Sequence, residues 1–146
     1  VQTFLPYADF NQSARALDNK RLGKQRVEAW QIHRAITDPT YGWQHHPAVR
    51  MWRGYDGALM VYGIHICKEW KQRGFNDSLL ARFTTNHDHP QIFPWWFGSE
   101  SFHSKHRSIL LAKNYAYYSK FGWAEKPAQK VNGKWSYIWP NVKLYQ

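Results

Sequence analysis

The sequence predicts a mostly α fold: a compact single-domain helical protein with long loops and a small C-terminal β-hairpin. Two observations carry that expectation. The chain has 146 residues, 43% of them hydrophobic, enough for one core and too few for two comfortable ones, so residues 1–146 are expected to form a single domain. Apolar positions recur every three or four residues in three separate stretches, which is the helical period, whereas only the C-terminal region carries a hairpin signal.

In chain order, residues 1–12, VQTFLPYADFNQ, read as an extended segment and a turn, with Pro6 opposing an early helix. Ser13 is a candidate N-cap for a first helix running to about Ile36, where TDPT stops it. YGWQHHPAVRMWRGY is a loop with room for a short helical turn from Pro47. A second helix is expected over Asp56–Gln72, because Leu59, Tyr62, Gly63, Ile66 and Trp70 recur at three and four and Gly74 follows as a C-cap. TTNHDHPQIFPWWFGSE is irregular, since Pro90 and Pro94 break any long element. A third helix is expected from Ser104 to about Ser119, and KVNGKWSYIWP reads as a hairpin on an Asn132-Gly133 turn. There is no internal repeat, linker or low-complexity tract.

Charge narrows the partner. Lys and Arg number 20 against 10 Asp and Glu, a formal charge of +10 that attracts polyanions, with nucleic acid first and an anionic membrane second. Nine Trp, nine Tyr and eight Phe supply flat side chains for a core and for stacking on unpaired bases. No run approaches the roughly 18 consecutive apolar residues of a membrane span, and the N-terminus lacks a basic-then-apolar signal pattern. The expectation is a cytoplasmic monomer with no cofactor. A lone Cys67 cannot form an internal disulfide or a thiolate zinc cluster, and its place in the helical pattern assigns it to the core.

The first helix poses the sharper question. Steps of 100° put Leu17, Leu22, Ala29, Ile32, Ala35 and Ile36 in one broad sector, and Arg21, Gln25 and Glu28 fall in its middle. Charges on a core-facing side cost several kcal/mol unless they are paired or open to a cleft. One reading is an internal Arg21–Glu28 ion pair bridged by Gln25. The other is a helix face that lines a pocket, with Glu28 as an acid/base and Arg21 as an anion or base contact. The pattern alone leaves both open. Lys20, Lys24 and Arg26 flank the sector and suit phosphates, or simply solvent.

RLGKQRVE places Leu22 and Glu28 on the spacing Leu-x-x-x-x-Arg-Glu, and TYGWQHHPAVRMW carries Gly42, His46 and Pro47 in a Gly-Tyr-Arg-Asn-His-Pro-like stretch. On these motifs the chain resembles the pyrimidine-dimer DNA glycosylase family, the phage endonuclease V-like proteins, over roughly residues 1–75. KNYAYYSKFGW, with Tyr115, Tyr117, Tyr118 and Lys120, is similar in character to the family's aromatic, basic C-terminal segment. HRSILLAK and YIWP match a divergent bacterial branch.

The resemblance implies a bifunctional DNA glycosylase/AP lyase acting on double-stranded DNA that bears a lesion or modified base. The nucleophile would be the free α-amine, here Val1 after removal of an initiator Met. An α-amine has a pKa of about 7.7–8.0 against about 10.4 for lysine, so a useful fraction is unprotonated at neutral pH. It attacks the sugar C1′, expels the base and forms an imine that undergoes β-elimination at the 3′ phosphate. Glu28 would stabilise positive charge at the sugar and move protons, and Arg21 would grip a phosphate or the extruded nucleotide. The chain departs from the family pattern at Val27, where the motif has Arg, and at Gln31, the next basic position. Those departures leave room for a bulky modified pyrimidine as substrate, in base-excision repair or phage defence.

Other clusters add candidates. HSKHRS, residues 103–108, opens the expected third helix, so His106 and Arg107, with Lys105 and Ser108, could seat a phosphate on free N–H groups. Trp95 and Trp96 cannot share a side, so one of them, with Trp95 as the candidate, is free to stack on a base; Trp43, Trp52 and Tyr118 are further plates. His45-His46, His87-x-His89 and His103-x-x-His106 invite a metal reading, and Asp88 inside NHDHP makes a metal-dependent nuclease on His87, Asp88 and His89 a rival. A non-catalytic nucleic-acid-binding module is the other rival. The expectation is no metal.

Overall fold

Two aspartates, not Ser13, start the helices in the first third of the chain. In a computed structural model that describes residues 1–86 and 92–140, α1 spans Phe10–Ala16 with Asp9 as N-cap, its carboxylate accepting the Gln12 N–H at 2.7 Å. Ser13 instead exchanges two hydrogen bonds with the backbone of Tyr7. Leu17 is extended, and α2 spans Asn19–Thr37 behind Asp18. The single helix expected here is broken by competition for its carbonyls. Arg73 donates from Nη1 to Leu17 O at 2.7 Å and from Nη2 to Arg15 O at 3.0 Å, satisfying groups that a continuous helix would bond internally.

The short α3 spans Pro47–Arg50, as Pro47 suggested, and α4 spans Asp56–Gln72 with Gly74 at φ 95° beyond its end, matching the expected element. α5, Leu80–Thr85, was not anticipated. α1, α2 and α5 all pack on α4. Gly63 makes the α4–α5 approach possible, because a Cβ there would stand 2.4 Å from the Phe83 ring.

The third long helix begins earlier than expected: α6 spans Glu100–Lys113 and stops at Asn114. The Asn114 side chain then caps α7, Tyr115–Tyr118, which runs into a 3-10 turn at Ser119–Phe121 closed by Gly122 at φ 70°. Among the described residues there is no sheet. The expected hairpin is reduced to one antiparallel bridge, Val131 with Lys134, around Asn132 at φ 52° and Gly133 at φ 76°, the left-handed pair a tight turn demands.

Large rings dominate the core: Trp52, Trp96, Tyr62, Tyr118, Phe83 and Phe102 are fully buried. Trp96 donates its indole N–H to Met51 O while Trp95 faces outward, as adjacent residues on opposite sides must. Cys67 is in the core as expected, its thiol pushed up to about 12 by burial and by the nearby Asp77 charge.

Candidate functional site

The N-terminal segment runs through the interior without secondary structure, and side chains from three helices satisfy it. Residues 2–5 are buried, so each backbone polar group needs a partner. Gln2 N–H donates to Glu28 Oε2 at 3.2 Å, Phe4 N–H to Gln25 Oε1 at 2.8 Å and Leu5 N–H to His106 Nδ1 at 2.9 Å. On the acceptor side, Phe4 O takes the Tyr62 hydroxyl at 2.9 Å, Leu5 O takes His103 Nδ1–H at 2.8 Å and Pro6 O takes Arg107 Nη1–H at 2.7 Å. Trp52 adds an indole N–H to the Thr3 hydroxyl at 3.0 Å. His103 and His106, one turn apart on α6, thus clamp both polar groups of Leu5.

This strap delivers Val1 to a cleft of about 400 Å³. Val1, Gln2 and Phe4 line it together with Lys20, Arg21, Lys24, Gln25 and Glu28 of α2, His46, Lys113 at the end of α6, and Tyr137 and Trp139. The polar trio of α2 therefore faces a cleft. Arg21 does not pair with Glu28; its Nη1 donates to Asp18 at 3.0 Å, and Asp18 in turn accepts the Tyr118 hydroxyl. Gln25 does bridge, donating from Nε2 to Glu28 Oε2 at 3.0 Å. Glu28 Oε2 consequently binds the amide one residue beyond Val1 and the side chain one turn back on α2.

The cleft is electrostatically graded. At the amine end, His46 caps α3 by accepting the Ala48 N–H on Nδ1 at 3.0 Å. Its pKa is lowered by burial and then by the α-amine charge, which favours a neutral ring with its proton on Nε2. Burial and then Arg21, Lys130 and Lys24 lower the Lys113 pKa, with Glu28 acting against them. Tyr137 is pushed up to about 12 by burial and by Glu28, with Arg21 opposing, so it stays a phenol. Tyr62, raised by burial and then by Glu28, likewise keeps the proton it shares between Phe4 O and Gln25 Oε1.

Of the expected site residues, Val1, Glu28, Arg21, Gln25, Lys24 and His46 come together here. The others stand elsewhere. Arg26 pairs with Asp77 at 2.6 Å and lies over the Trp70 ring. Tyr118 is buried against Asp18 and stacked on Trp123, and Trp95 is outside the cleft lining. Because α6 starts at Glu100, the N–H groups of residues 105–108 are already used inside the helix, which removes the basis for a phosphate seat there. Arg107 is spent on Pro6, Glu100 and Glu125, and His106 is fully buried. His103 and His106 use ring nitrogens on Leu5, and among the described residues no group of three or more His, Cys, Asp or Glu is arranged to hold a metal. His87, Asp88 and His89 lie outside the described residues.

Sequence reasoning missed Gln2, Phe4, Lys113, Tyr137 and Trp139 as lining residues. The YIWP stretch held a usable signal, since residues two apart in an extended segment share a side.

A family model described as pyrimidine dimer DNA glycosylase matches residues 1–83 of the 146. That stretch carries the strap, α2 and His46. No curated protein and no solved structure matches the chain.

Proposed function

The chain belongs to the pyrimidine dimer DNA glycosylase family, and from that premise we propose that it is a bifunctional glycosylase/AP lyase that excises a damaged or bulky modified pyrimidine through an imine on the Val1 amine. The observation that carries the reading is the 3.2 Å bond from Gln2 N–H to Glu28 Oε2. It sets the chain's first residue beside a carboxylate inside a cationic cleft, the juxtaposition an amine nucleophile and its proton carrier need.

The sugar of an extruded nucleotide occupies the cleft. The neutral Val1 amine bonds to C1′ as the electron pair of the C1′–N1 bond leaves with the pyrimidine, which takes up a proton from water. Glu28 receives a proton from the amine and returns it to the ring oxygen as the sugar opens to an imine. Glu28, a carboxylate again, takes a C2′ proton, and the electron pair expels the 3′ phosphate from C3′ to leave an α,β-unsaturated imine. Lys20, Arg21, Lys24 and Lys113 supply positive charge for the two phosphates that flank the nucleotide, and Trp139 and Tyr137 form an aromatic wall for the extruded base. The work belongs to base-excision repair or to defence against phage DNA with modified pyrimidines.

Borohydride trapping in EDTA, using protein that begins at Val1 and DNA that is abasic, ultraviolet-damaged or base-modified, tests this directly. A covalent adduct mapped to Val1 is expected, and the DNA that yields it without a preformed abasic site identifies the substrate class. Tight binding with no adduct, or an adduct at another residue, would overturn the reading. Glu28→Gln is expected to lower turnover by roughly 10²–10⁴-fold while sparing DNA affinity.

A further inference from the structure

Gln25 is 1% exposed and its amide is engaged within the protein at both ends, where it touches both halves of the proposed chemistry. Its Oε1 accepts the Phe4 N–H at 2.8 Å and the Tyr62 hydroxyl at 2.7 Å. Two donors on that atom identify it as the carbonyl end, which leaves Nε2 as the donor aimed at Glu28 Oε2 at 3.0 Å. Glu28 Oε2 closes a ring by accepting the Gln2 N–H. The path Phe4, Gln25, Glu28, Gln2 is thus a hydrogen-bonded loop that measures the strap against the carboxylate, with Val1 as the next residue out.

We propose that Gln25 is the positioning residue that fixes the reacting amine against Glu28, not a contact to DNA. The proposal rests on the function above for what is being positioned. Glutamine offers an acceptor to the strap and a donor to Glu28 at this length without depending on pH. Glutamate would keep the acceptor and turn an anionic oxygen toward Glu28; methionine would offer neither. The groups that face the pair are Arg21 and Lys24 on α2, Tyr62 on α4, Lys113 on α6, Tyr137, and at the amine end Val1 and His46.

The test pairs two measurements on wild type, Gln25→Glu and Gln25→Met. The first is a ¹³C-carboxyl NMR titration of Glu28 in free protein; the second is single-turnover cleavage of preformed abasic DNA as a function of pH. Two carboxylates about 3 Å apart resist joint ionisation, so the upper carboxyl step of Gln25→Glu is expected at least about one pH unit above that of wild-type Glu28. The acid limb of cleavage should rise with it. Gln25→Met should lower the maximal rate by about 10-fold or more with DNA affinity held within about 3-fold. An unmoved Glu28 titration in Gln25→Glu would overturn the proposal, as would variants that lose affinity in step with rate while the acid limb stays put. If wild type traps no Val1 adduct but the NMR coupling is present, the imine reading falls and the Gln25–Glu28 linkage stands.

Discussion

Two stretches without regular structure frame the cleft, and they are held in opposite ways. The strap, residues 2–6, has its backbone bonded to side chains of α2, α4 and α6. The C-terminal stretch, residues 122–140, is anchored mostly near its start: the Trp123 indole N–H on the Tyr7 hydroxyl, Glu125 on Ser104 and Arg107, the Ser108 hydroxyl on Lys126 O and Ala128 N–H on Ser108 O, while the Val131–Lys134 bridge is internal to it. Its far end is held by ring contacts, Tyr137 against Phe4 and Trp139 against His46. On the proposed function, the group that must meet a sugar carbon to within a fraction of an ångström is the one given many directional bonds. The wall proposed for a bulky base is given dispersion and stacking, which tolerate adjustment.

The largest effect should come from shifting the register of the strap's outer end. One added residue before Val1 moves the amine by roughly 3.5 Å while leaving every bond of residues 2–6 available. Adduct formation on abasic DNA should fall by about 10³-fold or more with melting unchanged within about 2 °C. Full activity in the extended protein would mean that the strap is structural filling and that the comparison with the C-terminal stretch has no bearing on chemistry.

Arg107 links the two stretches, donating to Pro6 O on one side and to Glu125 on the other. Its side chain is only 11% exposed, so Arg107→Met should strand a carbonyl and a carboxylate and cost about 3 kcal/mol in denaturant unfolding. The salt dependence of DNA binding should keep its slope. A slope reduced by about one charge, with stability intact, would instead make Arg107 a phosphate contact.

Legibility in the sequence divided along the same line. The local code sufficed for α4, whose Asp56 start and Gly74 stop were both readable, and for the α2 face, where Arg21, Gln25 and Glu28 violated the apolar pattern. It failed where distant residues decide. Nothing near Leu17 announces that Arg73, 56 positions on, will take its carbonyl, and nothing in HSKHRS tells a phosphate seat from a clamp on Leu5, some 100 residues away. Polar residues at helical spacing signal a demand for partners; they do not say whether the partner is a ligand or the chain itself.

Acid should separate the two stretches. Burial drives the His106 pKa down to about 3, against about 6.5 in an unfolded chain. The unfolded state therefore binds the extra proton between those values, and stability that is complete above pH 6.5 is lost as pH falls toward 3, at up to about 1.4 kcal/mol per pH unit. His103, also lowered by burial, adds to the slope, whereas residues 122–140 contain no histidine. Between pH 6.5 and pH 4.5, Phe4 and Leu5 should lose more hydrogen-exchange protection than Ala128 N–H, which is bonded to Ser108 O. His106→Asn, which keeps an acceptor for the Leu5 N–H, should flatten the pH dependence of melting.

The smallest expected effect is the one most specific to the wall. Trp139 stacks at an angle on Tyr137, with centroids 5.2 Å apart, and meets the His46 ring edge-on. It carries none of the strap's hydrogen bonds, so Trp139→Ala should lower melting by only a few °C, through the lost ring contacts. Base stacking contributes about 1–3 kcal/mol per base, so affinity for DNA with an intact target base should weaken by roughly 10-fold. Trapping on a preformed abasic site, which has no base to stack, should be unchanged. An equal loss on both DNAs would move Trp139 from the base to the backbone of the substrate, and would make the C-terminal stretch part of the rigid frame rather than its adaptable counterpart.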